Sequence, residues 1–330
     1  MRYALTIFAA SMVISGFQVR GFPHLTSLAP PTHMTDLQHV EADFRTYFGR
    51  ELIPYSEAGH FFETEALFLY HFKNVLYFVK AVIEPLEKKG MVREDSIVDL
   101  ACGLGQMSLA LALLGYRNLT LYDLDTERLN VGLGLIHLYC NGYTPQVINA
   151  SAMDLSTDFD VLICYQTIEH LSDEGNYSVA KKHCQVAFLA RVDQHIKKLC
   201  YFNAPNRTYP VDGHDTGRLF FHYLPIPVKR FLIYRNIVRC SWEGISRPIS
   251  IGFLSRHLPR FQLDSTYYAF DSMLDYVSNY PRFDYKGQRI PAVDPKNLSR
   301  NKKLVNQLSL LLGKGIQRIL PVMSVIYRTN

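Results

Sequence analysis

The first chemical signal in the sequence is a pair of aspartates on either side of a turn built from small residues. Residues 98–115, VDLACGLGQMSLALALLG, run from an apolar strand pattern through Asp99, Ala101, Cys102, Gly103 and Gly105 into a helix pattern. Small residues in such a turn let the backbone approach a ligand, and the start of the helix offers it free N–H groups. A second apolar run, LTLYDLD, carries Asp123, and 123 − 105 = 18 residues separate that acid from Gly105. A carboxylate at this offset is placed to accept hydrogen bonds from ribose hydroxyls. The alternative for Asp123 or Asp125 is to cap the helix that follows.

Two ligands compete for the turn. The spacing Gly103-x-Gly105-x-x-Ser108 puts a small residue in the third place of a dinucleotide fingerprint. Asp99 argues the other way, because it would set like charge against a pyrophosphate yet suit the cationic amino group of an amino acid. Further along, DVLICYQTIEHLSDE brings Tyr165, Gln166, Thr167, Glu169 and His170 to the carboxyl end of a strand, where open α/β sheets bind ligands. His170 reads either as a general base or as a loop anchor. After a fifth apolar run, the loop NRTYPVDGHDTGRLFFHYLP sets His214 between Asp212 and Asp215. A histidine near carboxylates has an accessible titration and an oriented tautomer, which makes His214 a candidate general base, with loop anchoring as its alternative.

The elements that must position these residues follow from the pattern around them. From residue 96 short apolar runs (SIVDL, LTLYDL, QVINA, DVLICY, KLCYFNAP) alternate with helical stretches near 106–115, 128–139 and 177–196. Strands and helices alternating in units of about 30 residues predict βαβ repeats and a doubly wound parallel sheet, an α/β fold. An earlier stretch, 63–89, has apolar residues at helical spacing and ends in Lys88, Lys89 and Gly90, which predicts a packing helix. Two late segments, 261–270 and 321–329, read as strands that pair as a terminal hairpin. The amphipathic run 304–320 between them reads as core, with contact to a membrane or lipid as the less favoured alternative.

Taken together, DLACGLG, LYDLD and DVLICYQTIEHL resemble the class I S-adenosylmethionine-dependent methyltransferases, and within them the small-molecule O-methyltransferases of the ubiquinone-biosynthesis type. That family commonly has GCGxG after the acid of its first strand, and here Ala101 stands where glycine is more usual, a mild departure. The segment after the fifth run is similar to a TPNRxxPxxxHxGxPxxHxLP pattern of bacterial methyltransferases, which carries the resemblance from about residue 63 to the C-terminus. It implies a Rossmann-like, seven-stranded, mostly parallel sheet with an antiparallel terminal hairpin. The implied organisation is a helical cap over 34–94 and a methyltransferase domain over 95–330, with a lid insertion at about 206–250. It also implies S-adenosyl-L-methionine as cofactor, held by the turn residues and by Asp123, with Leu124 beside the adenine. Family members often cover the ring from the segment matching 151–154, which makes Met153 a candidate; a solvated turn is the alternative. The segment Gln166–His170 would line the cleft between donor and acceptor.

The expected reaction is methyl transfer to a small-molecule acceptor, a hydroxyl in the first instance because a histidine base would serve one. Such a displacement requires no metal, and no clustered carboxylates point to one. Two alternatives remain at this stage: an NAD(P)-dependent oxidoreductase and a methyltransferase-like binding protein without turnover. The acceptor expected from 21 Tyr and 20 Phe, many of them after residue 201, is apolar or ring-bearing.

Composition bounds the rest. With 330 residues, 48% hydrophobic and 20% charged, the chain can bury a sizeable core, which excludes disordered, collagen-like and disulfide-stapled classes. The net charge of +5 is spread along the chain and does not point to nucleic acid. Six cysteines without CxxC or Cys/His metal spacing read as reduced thiols in a cytoplasmic compartment. Residues 1–33 read as a leader outside the fold, with an N-terminal signal or membrane anchor as the alternative, because 4–17 is apolar but short of the roughly 20 residues of a spanning helix. The sequence carries no indication of oligomeric state.

Overall fold

The computed structural model describes residues 36–173, 179–209, 220–238, 245–267 and 322–330, together with the single positions 212, 215, 216, 218, 240 and 242. The leader 1–33, the run 304–320 and His214 lie outside the described residues.

The apolar runs form strands β1 (Ile97–Leu100), β2 (Leu119–Asp123), β3 (Gln146–Asn149), β4 (Phe159–Tyr165), β5 (Ile196–Pro205), β6 (Phe261–Tyr267) and β7 (Val322–Thr329). They make one seven-stranded sheet in the order β3-β2-β1-β4-β5-β7-β6. Strands β1 to β5 pair in parallel, whereas β7 inserts antiparallel between β5 and β6. This is the Rossmann-like sheet with an antiparallel end that the family resemblance implies. Its central strands are mostly apolar because both faces are covered: all four residues of β1 are buried, and so are seven consecutive residues of β5, Leu199–Pro205, with Asp99 and Asn203 the polar exceptions among them.

Helices cover the two faces. In chain order they are α1 (Asp36–Phe48), α2 (Tyr55–Ala58), α3 (Glu65–Phe78), α4 (Glu84–Lys88), α5 (Gln106–Leu113), α6 (Thr126–Tyr139), α7 (Lys182–His195), α8 (Ile226–Tyr234) and α9 (Ile251–His257). Phe44, Phe68, Phe72 and Val75 of the N-terminal helices share one core with Leu109, Leu111 and Ile136 of α5 and α6, so these helices close one face of the sheet. The other face packs Phe188, Leu189 and Val192 of α7 with Leu254 of α9. Helix α7 starts at Lys182, later than the expected 177, and residues 174–178 lie outside the described residues.

The expected packing helix over 63–89 forms with an interruption. Thr64 caps α3 by accepting a hydrogen bond from the Leu67 N–H at 3.2 Å. Pro85 lacks an N–H and crowds the carbonyl four residues back, that of Ala81. The helix absorbs this by widening into a π turn over Val79–Ile83, and the Tyr201 hydroxyl on β5 donates to the Ala81 carbonyl at 3.5 Å. Glu65–Lys88 is long and apolar enough to span a membrane by composition, yet Phe72, Val75, Val82 and Ile83 are all fully buried in the protein core.

One residue in this cap is out of keeping with its surroundings. His71 on α3 is 1% exposed, lies 5.2 Å from the rings of both Phe62 and Phe72, and neither ring nitrogen has a hydrogen-bond partner. Burial holds its pKa down at about 3, against 6.5 for a solvated histidine. As pH falls below 6.5 the unfolded chain takes up a proton that the folded chain refuses, so folding stability falls toward acid. Between pH 7.5 and pH 5 this residue should cost about 2 kcal/mol of stability. His71→Leu should remove that acid-side loss, as urea unfolding at the two pH values would show; equal losses in parent and variant would contradict the assignment.

Candidate functional site

The sheet reverses its winding between β1 and β4: β2 and β3 lie to one side of β1, β4 and β5 to the other. In such sheets the crevice outside the carboxyl ends of these two strands is where ligands bind. The turn from β1 into α5 and the exit of β4 both open there.

The turn is made of left-handed residues. Ala101, Gly103 and Gly105 have φ of +54°, +54° and +69°. Glycine adopts such angles without penalty and alanine does not, so Ala101 carries a strain of about 1 kcal/mol. Its place is therefore less mild a departure from glycine than its single methyl suggests. The two glycines differ in their surroundings. A Cβ on Gly105 would stand 2.9 Å from the Gly132 Cα, because α5 and α6 touch backbone to backbone at that point. A Cβ on Gly103 would meet nothing within 4 Å, so the space beside Gly103 is open.

The two aspartates hold the turn from both ends. Asp123 Oδ2 accepts from the Gly103 N–H at 2.8 Å and Oδ1 from the Asp125 N–H at 2.9 Å. The capping role falls to Asp125, whose Oδ1 accepts from the N–H groups of Glu127 and Arg128 at the start of α6. Asp123 is thereby left facing the glycine turn. Asp99 is 4% exposed, and its Oδ2 accepts from the Ser108 N–H at 3.1 Å and the Ser108 hydroxyl at 2.7 Å. Ser108, the small residue of the fingerprint spacing, thus serves as the partner of Asp99. Burial, reinforced by the negative charge of Asp123, raises the Asp99 carboxyl to about 7. Cys102 lies between them, its thiol pushed up by burial and by both carboxylates. Gln106, the first residue of α5, is buried with its Nε2 donor unpartnered.

The remaining candidates follow the carboxyl ends of β2, β3 and β4. Leu124 is 46% exposed directly after Asp123. Met153 sits on a 3-10 turn, Ala152–Asp154, whose first N–H groups include that of Met153, accepted by the Ser151 hydroxyl at 3.3 Å. Met153 packs at the margin of the second core cluster. Gln166 leaves β4 with φ +52°; its N–H donates to the Asn203 carbonyl at 2.8 Å and its Nε2 to Asn203 Oδ1 at 2.6 Å. The Asn203 amide donates to the Ser324 hydroxyl on β7, which also bonds to the Tyr201 hydroxyl, so the inserted strand fixes the β4 exit through a buried polar chain. His170 ends the 3-10 turn Ile168–His170 and is half-buried; Glu169 beside it is fully buried.

The insertion after β5 is attached to the residues that follow β4, where the Arg247 N–H donates to the Glu169 carbonyl at 2.7 Å. A bridge between Asn206 and Ile249 joins its two ends. Inside, Phe221, Ile233, Val238 and Ile245 form a small core of their own. The insertion is tied to the β4 exit by Gln185 on α7, whose Nε2 donates to the carbonyls of Ile168 and Arg247, both at 2.9 Å. Asp212 and Asp215, the neighbours of His214, are engaged inside the insertion: Asp212 accepts from the Thr216 hydroxyl, and Asp215 from the N–H and hydroxyl of Ser246. Burial and the charge of Asp215 raise the Asp212 carboxyl.

Among the described residues, one group of metal-ligating types lies within 4.8 Å, Asp173, His183 and Cys184. The Lys181 ammonium stands 2.6 Å from the same Asp173 carboxylate, a positive charge where an ion would sit.

Sequence reasoning missed Gln106, Asn203 and Ser324, and it read Ser108 only as a small residue and not as the partner of Asp99. Of these only Ser108 and Gln106 had a local signal, their place directly after the glycine turn.

Comparisons with known proteins come from three directions. No family model matches the chain. A stretch of 98 residues, 28% of this chain, is 33% identical to a ubiquinone biosynthesis O-methyltransferase of Colwellia psychrerythraea, and it spans 39% of that relative's length. Among solved structures, magnesium protoporphyrin IX methyltransferase from Synechocystis PCC 6803 with bound SAH is similar at a TM-score of 0.45 and 9% identity, covering 88% of this chain and 94% of that one. TehB from Haemophilus influenzae is similar at 0.43 and 11%, covering 78% of this chain and 67% of that one.

The two glycines predict different consequences. Gly105→Ala should destabilise the fold by roughly 2–4 kcal/mol, from left-handed strain and the clash with Gly132 together. Gly103→Ala should cost only about 1 kcal/mol of strain. Paired denaturation curves would check the order, and equal losses would contradict the open space at Gly103.

Proposed function

We propose that the chain is an S-adenosylmethionine-dependent methyltransferase that transfers a methyl group to the hydroxyl of a small, apolar or ring-bearing acceptor. The observation that carries this reading is the turn itself: two carboxylates beside a glycine with open space at its Cβ position. The orphaned Gln106 donor adds a polar contact to the same turn. Hydroxyl and ammonium donors suit this setting, whereas a pyrophosphate would add negative charge to a carboxylate already pushed toward its neutral form. The antiparallel β7 also departs from the classic dinucleotide-binding strand order, which disfavours the oxidoreductase alternative. The hydroxyl acceptor is supported by the stretch shared with a relative named as an O-methyltransferase.

On this reading Gly103 lets the backbone close on the cofactor, Asp123 accepts from its ribose hydroxyls, and Asp99 faces its amino group. Leu124 and Met153 offer apolar surface to the adenine. The cofactor supplies a methyl group activated by the positive sulfonium to which it is bonded. The protein's main task is then alignment, which can provide much of the rate. Gln166, fixed by Asn203, shapes the cleft wall. A histidine that takes the acceptor proton completes the scheme, with His214 and His170 as candidates. Six free thiols support a reducing, cytoplasmic setting.

Calorimetric titration with S-adenosylhomocysteine tests this assignment. Asp123→Ala should weaken binding by about 1–3 kcal/mol through lost charge-assisted hydrogen bonds. Asp99 must be ionised to meet an ammonium group, so parent affinity should fall as pH drops below about 7. The fall should approach tenfold per pH unit, and Asp99→Asn should bind more weakly with that pH dependence flattened. Unchanged affinity in Asp123→Ala would remove that residue from the site.

A further inference from the structure

The five most exposed large apolar side chains among the described residues are Tyr234 at 61%, Phe220 at 57%, Phe231 and Ile237 at 55%, and Ile226 at 52%. All lie within eighteen residues of the insertion, on and beside α8. Single exposed apolar residues need no explanation, but a contiguous group does.

The helix is inverted relative to an ordinary surface helix. Its inward side takes Ile233 together with a charged residue, Lys229, which is only 7% exposed and lies over the Phe221 ring at 5.5 Å. Its solvent side takes Ile226, Phe231 and Tyr234. The ammonium is buried where the charges of Asp212 and Asp215 inside the insertion act on it, while aromatic rings stay in water. Phe220 adds a second cost: it is held at φ +58°, a conformation that bulky residues rarely adopt.

Charge identifies what would cover this face. Between Arg218 and Trp242 the chain has five basic residues, at 218, 229, 230, 235 and 239, and no acidic one. Two of the arginines lie against the exposed rings, Arg230 at 5.4 Å from Tyr234 and Arg235 at 5.7 Å from Phe231, and Arg230 also lies 5.9 Å from the half-buried Trp242 ring. Guanidinium groups level with aromatic rings, around an apolar centre, match the boundary between acyl chains and anionic headgroups. A second copy of this chain would set arginine against arginine across a two-fold axis.

We propose that α8 and the Phe220 turn dock the protein onto an anionic phospholipid bilayer. The apolar side chains enter the headgroup boundary and Arg230 and Arg235 pair with lipid phosphates. This docking does not depend on the methyl-transfer reading and is tested separately from it.

Co-sedimentation of the full chain with vesicles of phosphatidylcholine, with and without about one-third phosphatidylglycerol, reads the interaction. The parent should pellet with the anionic vesicles far more than with the neutral ones, and rising salt should release it. A Phe231→Ser/Tyr234→Ser variant should lose at least about tenfold in partitioning, and Arg230→Glu/Arg235→Glu at least as much. All four positions lie on the solvent side, so the variants should melt as the parent does. No pelleting of the parent would overturn the proposal. Pelleting that both variants retain would place membrane attachment elsewhere in the chain and overturn it equally. A parent dimer in analytical ultracentrifugation that Phe231→Ser/Tyr234→Ser dissociates would assign the face to a second copy instead.

Discussion

The turn between β1 and α5 depends on a backbone path with φ of +54°, +54° and +69° at Ala101, Gly103 and Gly105. Residues with little or no side chain follow this path at least cost, and at Gly105 the close approach of α6 requires glycine opposite. Gly132 supplies that second condition on α6. With both met, the turn lies close to the ends of β1 and β2. There Ser108 holds Asp99 and the Gly103 N–H donates to Asp123. The negative charge of Asp123 thereby bears on the buried Asp99 carboxyl, an arrangement that a ligand with hydroxyl and ammonium donors would relieve.

The other wall of the crevice depends on the end of the chain. Strand β7 enters antiparallel beside β5 and brings Ser324 opposite Asn203. Through Asn203 it fixes Gln166 in its left-handed conformation. The same strand pair connects to the helical cap, because the Tyr201 hydroxyl bonds both to the Ser324 hydroxyl, from which it can accept, and to the carbonyl that Pro85 frees at Ala81, to which it donates. Sheet, cap and crevice wall therefore share one buried polar chain, and the insertion joins it at the β4 exit through Gln185 and Arg247.

Much of the fold was legible in the sequence, since strands buried on both faces are mostly apolar and helices between them carry their own period. IVDL, LTLYD, FDVLICY and the run ending in Pro205 all read as strands for this reason, and the two late segments pair antiparallel as expected. What the pattern could not carry was contact between distant positions. That Asp125 is the cap and Asp123 faces the turn depends on side-chain direction. The register that sets Ser324 opposite Asn203 spans more than a hundred residues. The π turn was foreshadowed by Pro85, but its accommodation needed the Ala81 carbonyl to find Tyr201. In the insertion, the basic and aromatic composition was plain, whereas the inversion of α8, lysine inward and rings outward, became visible only once its inner face was packed.

The central claim is that the crevice at the β1–α5 turn takes an adenosine joined to an amino acid in preference to a dinucleotide. Parallel calorimetric titration of the full chain with S-adenosylhomocysteine and with NADH tests it most directly. One saturable site for S-adenosylhomocysteine and no heat of binding from NADH is the predicted result. A saturable NADH site in a chain that does not respond to S-adenosylhomocysteine would contradict the account.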